Sequence, residues 1–138
     1  MRIAPSLPLA LALVFLACEP DSAKPRQCKQ LVDVVGAEDQ KLVGPDPIDA
    51  EAMTALAEKL ETAAQAVGAL SLTVPELVSQ RDAIQAAWTK AAAAVRLSVV
   101  AAEKADIARA TQAQTDSASA GRAYTDAVES VNRFCHTD

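Results

Sequence analysis

A chain of 138 residues, 14.4 kDa, that opens on a short apolar segment has material for one small domain and is too short for two. Hydrophobic residues make up 51% of it and aromatic residues only 3%, so the apolar content is chiefly alanine, leucine and valine, and a core built from them is thin and needs closely packed helices. The formal net charge of -5 sets aside nucleic acid as a partner, and with no block of lysines or arginines it also sets aside a domain lying flat on anionic lipid headgroups.

Residues 1–17 read as a signal peptide. Arg2 supplies the positive start, and Leu7 to Ala17 (LPLALALVFLA) form an apolar run of leader length, shorter than the roughly 20 residues a membrane-spanning helix requires. The tetrad Phe15, Leu16, Ala17, Cys18 resembles the bacterial lipobox, with Phe15 in place of the usual leucine, and the resemblance implies cleavage before a diacylglyceryl-bearing Cys18. An ordinary secretory leader or an uncleaved anchor are the alternatives. Without the leader, 12 basic side chains stand against 18 acidic ones, so the mature chain is still more acidic. Residues 18–25 carry Pro20 and Pro25 among polar residues and read as a lipidated tether, with the helical domain over 26–138.

The first helix is expected just after Pro25, with a stripe of Cys28, Leu31, Val32, Val35 and Leu42 that Gly36 threatens to cut short. Gly44, Pro45, Asp46 and Pro47 are a break. A second helix is expected from Asp49 to Ala69, with carboxylates at its positive end and an apolar seam of Met53, Leu56, Leu60, Ala63, Val67 and Leu70. Thr73 and Glu76 have the spacing of a capping box for the third helix, Leu72 and Leu77 hold the staple positions, and Pro75 suits the first turn.

From there Leu77, Ile84, Trp88, Ala91, Val95, Ser98 and Ala102 carry the seam, interrupted by Arg81, and neither glycine nor proline occurs from Glu76 to Ala120. One helix from there to Cys135 would exceed about 90 Å, too long for this domain, so a turn is needed. It is placed at Glu103 to Asp106 with Asp106 as N-cap, Asp116 to Gly121 being the rival. The fourth seam is then Ile107, Ala110, Gln114, Ser117, Gly121, Tyr124, Val128, Val131 and Cys135.

The expected fold is therefore an all-α, antiparallel up-down-up-down four-helix bundle, whose topology brings the start of helix one and the end of helix four together. Cys28 and Cys135 lie at those two places, and in an oxidising compartment a disulfide is their natural pairing; a metal-thiolate or redox pair lacks the C-x-x-C spacing and a second histidine. His136, the lone histidine, sits in the tail, and no Ser/His/Asp set, haem attachment or phosphate-cradling loop can be assembled. No enzyme, metal or other cofactor is expected. Arg81 with Gln114 and Ser117 forms the one candidate ligand patch, in a seam that is half small or polar.

Three pieces of the chain, the Cys18 lipobox, Val67 to Leu77 (VGALSLTVPEL) and Val131 to Cys135 (VNRFC), resemble small helical lipoproteins of myxobacteria and related envelopes. The resemblance implies an envelope bundle with a stapled end and carries no activity or binding residue. Glu19, where aspartate in such lipoproteins favours inner-membrane retention, leans toward the outer membrane. The functional expectation is a non-enzymatic envelope module, joined to the membrane through its N-terminal lipid and to an envelope protein partner; the alternative is a small-ligand carrier using the patch of Arg81, Gln114 and Ser117.

Overall fold

A computed structural model describes residues 23–47 and 49–137; the expected leader, Cys18 and the first part of the tether lie outside the described residues. Among the described residues four helices follow one another, α1 (Ala23–Leu42), α2 (Ala50–Gly68), α3 (Pro75–Glu103) and α4 (Ile107–His136), and there is no strand. They form the expected up-down-up-down bundle.

Each helix end has a local cause. α1 already includes Ala23 and Lys24, ahead of the expected start just after Pro25. Gly36 does not stop it: Leu31 and Val35 before the glycine and Glu38 after it are all buried, so packing on both sides carries the helix on to Leu42. The segment Val43 to Pro47 is non-helical, as its glycine and prolines require. Asp49 caps α2, its Oδ1 accepting from the Ala52 amide at 2.8 Å.

The turn between α3 and α4 falls at 104–106 as expected. The Asp106 amide donates to the Ala101 carbonyl and the Ala105 amide to the Ala102 carbonyl, a Schellman-type ending, and Ala105 takes the left-handed position with φ 49°. The Asp106 side chain then accepts from the Arg109 amide at 3.0 Å and starts α4. Asp116 to Gly121, the rival turn site, is helical throughout.

One expectation at a helix start is corrected. Thr73 does not cap α3: the N-cap is Val74, extended at ψ 116° as a residue before proline must be, and it makes no side-chain capping bond. The Thr73 hydroxyl is turned instead to α1, where it accepts from Gln27. Leu72 and Leu77 are both buried, so the hydrophobic half of the motif survives.

α3 is the centre of the bundle. It packs against every other helix, most extensively α4 and α2, whereas α2 and α4 do not meet. Two kinds of core result. Where α1 covers α3 and α4, large side chains are sealed from solvent: Leu31, Leu77, Ile84 and Val67, with Trp88 beside them. Along the α3–α4 hairpin the buried residues are alanines seven apart, Ala87, Ala94 and Ala101 on one helix and Ala113, Ala120 and Ala127 on the other, the spacing that keeps one stripe of each helix facing its neighbour.

This corrects the fourth seam. From Tyr124 onward the expected stripe is right, because α1 lies over it: Tyr124, Val128, Val131 and Cys135 are buried or half-buried. Before Tyr124 it is displaced by about one residue: Ile107, Ala110, Gln114, Ser117 and Gly121 are exposed, while Ala113 and Ala120 are buried. α1 ends at Leu42, leaving nothing to cover the first half of the expected stripe. On α3 the same shift makes Ala101 the buried residue in place of Ala102.

Candidate functional site

The sequence-predicted site residues separate in the fold. Arg81 is largely buried at the start of α3, where Nη1 donates to the Leu70 carbonyl at 2.8 Å and Nε and Nη2 donate to Asp82 Oδ1 at 2.9 and 2.7 Å. The desolvation that an arginine in a seam would suffer is thus offset by a carbonyl of the α2–α3 link and by the carboxylate of the neighbouring Asp82. Gln114 and Ser117 are exposed on the first half of α4. Lys90, which reaches Ser119 Oγ at 3.1 Å and Asp116 at 3.8 Å, marks their level on α3, nine residues beyond Arg81 and so about 13 Å along the axis. The three do not form one patch. His136 is exposed at the end of α4.

Cys28 and Cys135 are brought together, their Cα atoms 5.7 Å apart and their sulfurs bonded. Lys24 supports the same junction, lying 4.7 Å from the Phe134 ring centroid and donating to the Thr137 carbonyl. One residue from the disulfide, Gln27 is buried at 6% exposure yet fully used. Its Oε1 accepts from the amides of Thr73 and Val74 at 2.8 and 3.0 Å, and its Nε2 donates to Thr73 Oγ1 at 2.7 Å. α1 therefore clasps the link between α2 and α3, supplying the acceptors that a capping side chain would otherwise provide. No spacing in the sequence announces this, since a glutamine before a cysteine has no motif.

About three turns farther along α1, the Tyr124 hydroxyl of α4 donates to Asp39 Oδ2, and the Tyr124 ring stacks on Trp88 of α3 with centroids 5.3 Å apart. Burial, reinforced by the hydrogen bond to Asp39, pushes the Tyr124 hydroxyl well above the ordinary phenol range. The folded state thus favours the neutral phenol, so this contribution to stability is complete below an unfolded-state pKa of about 10 and is lost as pH rises above it. Tyr124 is the only tyrosine, so near-ultraviolet absorbance during an alkaline titration reads it alone; it should ionise at a higher pH in the folded protein than in denaturant, and in the variant Asp39→Asn the gap should narrow.

Below this trio, where α1 and α4 diverge over α3, a half-open cleft of about 150 Å³ is lined by Leu31, Val32, Val35, Ile84, Val128 and Val131. Gly36, Asp39 and Asn132 complete its wall. Its one signal in the sequence is Gly36, flanked one turn away by Val32 and Asp39 on the same helix face. Elsewhere the polar groups serve packing. Arg96 holds Glu61 through two hydrogen bonds of 2.8 and 2.9 Å between α3 and α2, which keep the Glu61 carboxyl below its usual range. Among the described residues no group of three or more His, Cys, Asp and Glu side chains is arranged to hold a metal ion.

Comparison with protein-family models, with curated proteins and with solved structures gives no match for this chain.

Proposed function

We propose that this chain is a lipid-anchored protein of the bacterial cell envelope, its bundle a non-enzymatic module that presents acidic polar helix faces to another envelope component. The partition of the cysteines carries the reading. The sequence has three, and Cys28 and Cys135 are bonded to each other, so Cys18, at the end of the Leu7–Ala17 apolar run, is the one left for acylation. A disulfide that closes a domain fits an oxidising compartment. No helix of the described residues is long and apolar enough to cross a membrane, so on this reading the acyl chains hold the protein there, with Glu19 favouring the outer membrane. The separation of Arg81 from Gln114 and Ser117 removes the support for a carrier that uses that patch.

Mass spectrometry of the protein extracted from its own membranes tests this. The expected result is a mature chain beginning at a triacylated Cys18, gaining two protons on reduction, and a Cys18→Ser variant that leaves the membrane fraction. An unmodified Cys18 overturns the anchor, and crosslinking that captures no envelope component overturns the module.

A further inference from the structure

Three features of the α1–α4 cleft share one location. Val32 is 44% exposed, one of three large hydrophobic side chains so exposed among the described residues, and it forms the lip of the cleft. The other two have local reasons: Val43 lies in the link after α1, and Ile107 is the first residue of α4. Gly36 sits in the middle of a helix, where glycine is the worst residue short of proline, and a Cβ added there would meet nothing within 4 Å. An alanine would fit and would strengthen the helix, so packing within the chain does not require glycine here. What glycine does is keep the wall of the cleft low. Finally, Asp39 stands at the rim one turn from Gly36, with Oδ2 held by Tyr124, and among the described residues no other donor reaches its carboxylate.

From this convergence we infer that the cleft is a binding site for a small amphiphilic cation: an apolar body of about one ring, laid against Val32 and Val128 over the closed floor of Leu31, Val35, Ile84 and Val131, with an ammonium group directed to Asp39. The size follows from the volume, since a cavity of about 150 Å³ takes a benzene-sized group. The charge follows from the fixed carboxylate, because a charged hydrogen bond at a partly desolvated rim favours a cation over a neutral isostere. Val32 gains cover from the ligand that the chain does not give it. The site does not depend on membrane attachment and is tested on the folded domain with its disulfide intact.

Trp88, the only tryptophan, stacks on the tyrosine that holds Asp39 and so reports occupancy. Titration with benzylamine should give a saturable change in its fluorescence, and benzyl alcohol should bind about ten-fold more weakly or worse. Asp39→Asn should erase that preference, and Gly36→Leu, which fills the cleft, should abolish both responses with the helical circular dichroism unchanged. Should Gly36→Leu fail to fold, NMR of the unsubstituted protein decides: benzylamine should move the methyl signals of Val32, Val35, Val128 and Val131 first. Absence of saturation, equal affinity for the alcohol, or shifts confined to other methyls overturns the site. A blocked lysine peptide that saturates the same signals more tightly than benzylamine overturns the small-molecule ligand in favour of a protein partner.

Discussion

The disulfide end of the bundle and the α3–α4 turn end are built by different means. At the disulfide end four helices meet, and leucine, isoleucine, valine and tryptophan fill the space among them, reinforced by a covalent bond and the buried Gln27 clasp. Toward the turn α1 has ended, and what α3 and α4 bury between themselves is methyl groups, the alanine triads. Large side chains suit a wide gap with several walls, whereas alanine suits two helices that touch along a line, where close backbone approach replaces transferred surface. The first end draws stability from burial and a crosslink, the second from proximity and helix propensity.

Removing the crosslink should divide the two ends most sharply. Replacing Cys28 and Cys135 by alanine frees a loop spanning 107 positions and should cost about 4–5 kcal/mol, an upper figure in the chain-entropy account. Hydrogen exchange should then show α1 losing protection first while Ala94 and Ala120 keep theirs; uniform loss along the bundle would mean that the ends are not separable. Next in size, Leu31→Ala at the filled end should cost about 3 kcal/mol by leaving a cavity. The opposite change at the alanine seam, Ala94→Leu, should cost about 1–3 kcal/mol by forcing α3 and α4 apart. Chemical denaturation distinguishes these, and a neutral Ala94→Leu would deny the close approach. The smallest effect is a gain: Ala105→Gly, relieving the left-handed alanine at the turn, should raise stability by about 0.5–1 kcal/mol, net of the extra freedom glycine brings to the unfolded chain.

This contrast also explains which parts of the molecule were legible in the sequence. The filled end was readable because large apolar residues at helical spacing mark a buried stripe: Leu60, Val67, Leu77, Ile84 and Val131 all fall where the periodicity puts them. The 104–106 turn was readable from helix lengths and from Asp106. The alanine seam was not, since in a chain with alanine on every face a buried methyl looks like an exposed one, and the stripe through Gln114 and Ser117 pointed to a neighbour that stops short. Nor was the α3 start legible from Thr73 and Glu76, because the acceptor that replaces the capping side chain comes from Gln27, 46 residues earlier. The disulfide followed from the two cysteines left beside Cys18 in an oxidising compartment, and the topology agreed with it, but the cleft beneath Asp39 depends on how far α1 and α4 diverge, which residue spacing does not encode.

The Cys28–Cys135 bond also has a mechanical consequence. It joins a residue in the first two turns of α1 to one in the last turn of α4, so nearly all of the bundle lies inside one covalent ring. Tension between the segment before Cys28 and the segment after Cys135 passes through the two sulfurs and bypasses α2, α3 and the alanine seam. A domain tethered at one end and tugged by whatever holds the other is then loaded like a link in a chain rather than a spring, and pulling those two segments in an optical trap should extend it by only a few residues until the ring is reduced.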